Sequence, residues 1–102
     1  MELRITIDSE GGQRTVRLEG ECDLASAPVL REALRPMVPP EVYEVVIDAS
    51  ELEFIDSTGL GVILGAHRRL KESGGVLKIA GAKGGVQRVL KVTGLDRAIP
   101  IV

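Results

Sequence analysis

The uninterrupted run Val45-Val46-Ile47 constrains this chain more than any other feature. Three consecutive apolar residues suit a strand inside a sheet, covered on both faces. The flanking segments then fix the class. Upstream, Leu3, Ile5 and Ile7 alternate with Arg4, Thr6 and Asp8, and after the turn residues Ser9-Glu10-Gly11-Gly12 the stretch Thr15-Val16-Arg17-Leu18-Glu19 alternates again. A period of two in both segments reads as a hairpin of half-buried strands. Gly20 breaks the pattern. Val29, Leu30, Ala33, Leu34 and Met37 follow at helical spacing. Asp23 or Ser26 can cap that helix, Pro28 fits its first turn, and Pro36 with Pro39-Pro40 stops it.

Downstream of the apolar run, residues 51–55 read as a linker. From Ser57 to about Glu72 the spacing is helical again, with Leu60, Ile63, Leu64 and Leu70 on the apolar side and Ser73-Gly74-Gly75 as the stop. Val76-Leu77-Lys78-Ile79-Ala80 is a strand. Val86, Val89 and Leu90 mark a third helix closed by Gly94, and Ile99-Pro100-Ile101-Val102 reads as a short edge strand, where proline is tolerated. The expected order is β-β-α-β-α-β-α-β with right-handed crossovers, an α/β domain of mixed sheet and packed helices spanning residues 1–102.

With 102 residues, 44% hydrophobic and 27% charged, the chain can sustain one core. Aromatics are 2%, so that core is aliphatic, drawn from 12 Val, 8 Ile and 12 Leu. Stacking platforms for single-stranded nucleic acid are missing. The single cysteine, Cys22, cannot form an intrachain disulfide, which points to a reducing compartment, the cytoplasm. Cys22 and His67 together fall short of a zinc set. No stretch reaches the ~18 apolar residues of a membrane span, and Met1-Glu2-Leu3-Arg4 lacks the order of a signal peptide. Net charge is −2, but residues 1–56 hold 5 basic and 13 acidic residues and residues 57–102 hold 8 and 2. The division falls at the Asp56–Ser57 junction. A mixed sheet interleaves the two halves, so the totals are compatible with an even surface or with a locally uneven docking face.

The most informative stretch is Phe54-Ile55-Asp56-Ser57-Thr58-Gly59-Leu60-Gly61. It puts hydroxyls at a helix start, where unpaired N–H groups and the helix dipole favour negative charge. A phosphate on Ser57 would sit at a natural anion site; equally, Asp56, Ser57 and Thr58 serve as caps. Ser57, Gly61, Gly65 and Arg68 or Arg69 share one helix face. Its small residues suit close approach of a backbone, either the sheet's own or a partner's. Enzyme readings fail. Ser57 and His67 lie roughly 15 Å apart along one helix. Gly-x-Ser-x-Gly is absent. Gly81-Ala82-Lys83-Gly84-Gly85-Val86 lacks the Gly-Lys-Ser/Thr ending of a phosphate loop. The scattered carboxylates Asp23, Asp48 and Asp56 read as strand ends and caps.

Over essentially its whole length the chain resembles the STAS domain of bacterial anti-sigma factor antagonists. Residues 54–65 resemble the family's phosphorylation motif, Gly20-Glu21-Cys22-Asp23 a second motif, and Leu90-Lys91-Val92-Thr93-Gly94-Leu95 a third. Cys22 departs from the family, which more often has a larger aliphatic residue there, a difference expected to affect packing. The resemblance implies a non-enzymatic switch. The unmodified protein binds an anti-sigma factor that is also a serine kinase, and the sigma factor is released. Phosphorylation of Ser57, rather than of the neighbouring Thr58, ends the binding, and a phosphoserine phosphatase restores it. Asp23, Ser26, Asp56, Thr58, Gly59 and Gly61 are placed at the partner surface. No cofactor, metal, nucleic acid or membrane partner is implied. The same fold also serves as a scaffold in stress-signalling complexes and as a regulatory domain of anion transporters.

Overall fold

A computed structural model describes residues 2–102. The hairpin comes first. Strands β1 (Arg4–Glu10) and β2 (Gln13–Cys22) pair antiparallel, from Arg4 opposite Glu19 to Glu10 opposite Gln13. Gly11, at φ +58°, is the first residue of the two-residue turn, a conformation that glycine adopts freely. Helix α1 (Ala27–Leu34) leads to strand β3 (Glu44–Ile55), helix α2 (Ser57–Glu72) to strand β4 (Val76–Ala80), and helices α3 (Gly84–Val92) and α4 (Leu95–Ala98) close the chain. The sheet order is β1-β2-β3-β4, with β2, β3 and β4 parallel.

Three expectations change. First, the expected C-terminal strand is a single bridge, Ile101 with Ile79, preceded by the short helix α4. Pro100 has no N–H to donate; its carbonyl accepts from Ile79 N at 3.0 Å, and Val102 N donates to Ile79 O at 2.8 Å. Second, residues 51–55 belong to β3, and β2 continues past Gly20 to Cys22. Two register shifts, between Arg17 and Glu19 and between Gly20 and Glu21, give β3 extra residues against β2. Gly20, at φ +93°, stands at the second shift. Buried positions of β3 therefore fall at Ala49, Leu52 and Ile55, three apart, instead of alternating.

Third, β3 is not covered on both faces. Val45, Ile47 and Ala49 are buried, but Val46 and Asp48 are half-buried. The crossovers β2-α1-β3 and β3-α2-β4 step the same way across the sheet. Right-handed connections then put both helices on one side. The other side carries a polar row held by ion pairs: Arg17 Nε–Asp48 Oδ2 at 3.4 Å and Lys78 Nζ–Glu44 Oε2 at 2.9 Å, with Gln13 Nε2 donating to Glu44 Oε1 at 3.0 Å. The core is one aliphatic cluster, including Val16, Leu18, Leu30, Leu34, Ile63, Leu70, Leu77 and Ile99. No helix among the described residues is long and apolar enough to cross a membrane.

Candidate functional site

Register brings the site together. Cys22 pairs with Ile55 at the C-terminal ends of the parallel strands β2 and β3, so Asp23 and Asp56 leave neighbouring strand ends. The Asp56 N–H donates to the Cys22 carbonyl at 3.1 Å, locking the two ends. Asp56 is extended and caps α2: its Oδ1 accepts from Thr58 N at 3.0 Å and Gly59 N at 3.1 Å. Two of the helix's orphan donors are thereby satisfied.

Ser57 is the first residue of α2 and is exposed; its hydroxyl makes no hydrogen bond among the described residues. Thr58 is half-buried. Asp56 therefore does the capping, and Ser57 is left accessible above the helix N-terminus. The N-terminus of α1 is held by a reciprocal pair. Asp23 Oδ1 accepts from Ser26 N at 3.0 Å, and Ser26 Oγ accepts from Asp23 N at 2.8 Å. The Ser26 N–H, and after it the Ser26 hydroxyl donating to Asp23 Oδ1 at 3.0 Å, hold the Asp23 carboxyl below its ordinary value. A shallow groove beside them is lined by Glu21, Asp23, Ser26, Leu3, Ala25 and Val29.

Gly59 and Gly61 have different roles. A Cβ on Gly59 would lie 2.7 Å from Cys22 Sγ and 2.9 Å from Ile55 Cγ1. Gly59 thus lets α2 sit directly over the end of β2. A Cβ on Gly61 would meet nothing within 4 Å, and one on Gly65 only Arg69 Nη1 at 3.6 Å. The Gly61–Gly65 face of α2 is therefore not spent on internal helix-on-sheet contact. Cys22 is fully buried beneath the site, and burial together with the nearby Asp56 charge pushes its thiol up to about 11. It is a protonated packing group, unsuited to nucleophilic work.

Sequence reasoning missed the site's surroundings. Leu24 is 73% exposed, Val29 59% and Phe54 48%, an apolar fringe beside Asp23 and Asp56. Glu19, Glu21, Glu51 and Glu53 lie on the same strand ends. With Asp23 and Asp56 they put six of the first half's acidic residues at the Ser57 end of the sheet. Arg68 and Arg69 stand about 16 Å further along α2, outside this neighbourhood. The visible signal was Glu51 and Glu53, which follow the central apolar run too closely for a free linker. His67 is half-buried on α2, far from Ser57. Its Nδ1 has no partner among the described residues. Burial, then Lys71 and Arg68, lowers its proton affinity. No group of three or more His, Cys, Asp or Glu among the described residues could hold a metal ion.

Comparison with known proteins gives a consistent picture. A family model described as "Mlab, STAS domain" matches residues 5–102. The "Anti-sigma-B factor antagonist" of Bacillus subtilis (strain 168) is 34% identical over 101 residues, covering 99% of this chain and 92% of that protein. The "Anti-sigma F factor antagonist" of Paenibacillus polymyxa is 32% identical over 102 residues, covering 99% and 87%. Among solved structures, an anti-sigma factor antagonist from Mycobacterium paratuberculosis superposes with a TM-score of 0.86 at 29% identity, over 98% of this chain and 85% of that one. SpoIIAA in its unphosphorylated form shares the fold, with a TM-score of 0.85 at 22% identity over 97% and 88% of the two chains. From the hairpin to the bridged Ile101, this chain belongs to the STAS-domain family.

Proposed function

We propose that this chain is a cytoplasmic anti-sigma factor antagonist whose binding to an anti-sigma factor is switched by phosphorylation of Ser57. The unmodified protein docks an anti-sigma factor serine kinase through Asp23, Ser26, Asp56, Thr58 and Gly61, and so frees the sigma factor; Gly59, expected at the same surface, is buried against Cys22 and Ile55 and acts by seating α2. Phosphate on Ser57 ends the docking, and a phosphoserine phosphatase removes it. The observation that carries this reading is the exposed, unbonded Ser57 hydroxyl at the start of a helix already capped by Asp56. The names of the relatives support the partner class.

The physics of the switch is local. A phosphate adds about −1.5 to −2 charges. The α2 N-terminus tolerates that charge, so the fold persists. The partner, packed over Ser57 and the open Gly61, meets added bulk and added negative charge beside Asp23 and Asp56. No large rearrangement of the sheet is required.

Incubation with a candidate anti-sigma kinase and ATP, followed by mass spectrometry, tests the reading. One phosphate is expected on the wild type and none on Ser57→Ala, with Ser57→Asp binding the kinase weakly. Label on Thr58 with Ser57 unmodified would overturn the assignment of the acceptor. Tight kinase binding by Ser57→Asp would sink the electrostatic argument.

A further inference from the structure

We propose that the free edge of β1 pairs antiparallel with β1 of a second copy of this chain, joining two four-stranded sheets into one. β1 is an edge strand, whereas the far side of β4 is already engaged by Ile101. An uncovered edge is a template for another strand. Neither a proline nor a register shift against β2 interrupts this one, and its charges leave one self-complementary alignment. It is also incompletely covered by the helices. Ile7 is 43% exposed, Ile5 only half-buried, and Val29 of α1 is exposed on the same side.

The backbone and the charges select one alignment. A two-residue hairpin closes on a hydrogen-bonded pair, here Glu10 with Gln13. Even-numbered residues of β1 therefore aim N–H and C=O at β2, and Ile5, Ile7 and Ser9 aim theirs at the free edge. A two-fold partner must place odd residues opposite odd ones. With Ile7 opposite Ile7, Arg4 faces Glu10, Ile5 faces Ser9 and Thr6 faces Asp8, and the whole strand overlaps. Sliding by two residues toward the strand start brings Glu2 opposite Glu10. Sliding the other way brings Asp8 opposite Asp8. Like charges directly opposite are unfavourable. In the chosen alignment Arg4 and Glu10 occupy a non-hydrogen-bonded pair, where side chains approach most closely. Arg4, Asp8 and Glu10 are exposed and make no ion pair among the described residues, so their charges are available.

The two-fold axis runs perpendicular to the sheet. It keeps both helix layers on one face and reverses strand direction between copies. The two Ser57 ends then point in opposite directions, and each stays open to its own partner. A single-strand seam is small, so the association is concentration-dependent.

Sedimentation velocity from micromolar to millimolar protein tests this, together with amide exchange of β1. The wild type is expected to dimerise as concentration rises, with protection gained at Ile5, Ile7 and Ser9 N–H. Arg4→Glu is expected to stay monomeric, and Arg4→Glu with Glu10→Arg to regain the dimer. Circular dichroism confirms that each variant is folded. A wild type that remains monomeric at millimolar concentration overturns the proposal. So does an Arg4→Glu variant that dimerises like the wild type, or a charge-swapped double variant that fails to recover.

Discussion

Gly59 and Gly61 stand two residues apart on α2 and are expected to respond oppositely to alanine. At Gly59 the new methyl would overlap Cys22 Sγ and Ile55 Cγ1, and both are buried. Overpacking of this kind costs about 1–3 kcal/mol. At Gly61 the methyl enters open space, so Gly61→Ala should stabilise the free protein by about 0.5–1 kcal/mol through helix propensity. Denaturant unfolding of both variants checks the contrast; equal and opposite surprises at the two positions would show that α2 sits differently. In partner binding the order changes. Gly61→Ala, stable on its own, should weaken kinase association, because its methyl occupies the docking face. The sequence placed Ser57, Gly61 and Gly65 on one face correctly. It could not say that Gly59 was the internal contact, because that depends on Cys22 arriving beneath it from a different strand.

The element that organises the site is the β3–α2 junction. Asp56 supplies one carboxylate oxygen to two helical N–H groups, and its own N–H ties β3 to the end of β2. Asp56→Ala keeps the backbone tie and loses the cap. The expected cost is about 0.5–2 kcal/mol, with faster amide exchange at Thr58 and Gly59 than in the wild type. Unchanged exchange at those two amides would mean the cap is not made in solution. The boundaries of α2 and β4 were legible because their apolar spacing is regular and their stops are glycines. The latter half of β3 was not. Its two register shifts put Ala49, Leu52 and Ile55 inside at intervals of three, which matches neither a helix nor a strand. Those same irregularities carry the strand to where Asp56 meets Cys22, so the illegible stretch is the one that builds the site. The C-terminal edge was half legible: Ile101 does pair with β4, but α4 consumes the chain that would have made a longer strand.

At the scale of the whole molecule, several titrating groups act on stability in one direction. Asp23 is held below its ordinary value by Ser26, Glu44 by Lys78, and Asp48 by Ser50 and then Arg17. Each is ionised in the fold at pH values where the unfolded chain has taken up a proton. Their contribution is complete above about pH 5 and is lost as pH falls through the lowered folded values. His67 adds an earlier stage. The unfolded imidazole binds a proton below about pH 6.5, while burial, Lys71 and Arg68 resist protonation in the fold. Stability should therefore decline in two stages on acidification, and His67→Gln should remove the upper stage alone. Unfolding midpoints across this range provide the check; a His67→Gln profile parallel to the wild type would exclude the histidine as the cause.

The distribution of charge carries the final step. Glu19, Glu21, Asp23, Glu51, Glu53 and Asp56 stand at or just beyond the C-terminal ends of β2 and β3, beside the exposed apolar residues Leu24, Val29 and Phe54. The cations of α2 lie at its far end. A partner that docks at Ser57 therefore approaches a negative rim with an apolar interior, and complementarity requires cations on its side. Rim charges act chiefly on the rate of encounter, and salt screens them. Association with the kinase should slow as salt rises, while dissociation changes less. Replacing both Glu51 and Glu53 with Gln should reproduce part of that slowing at low salt and flatten the salt dependence. Stopped-flow or surface-binding kinetics resolve the two rates. If the double variant associates as fast as the wild type at low salt, the rim does not steer the partner, and the recognition rests on the contacts around Ser57 themselves.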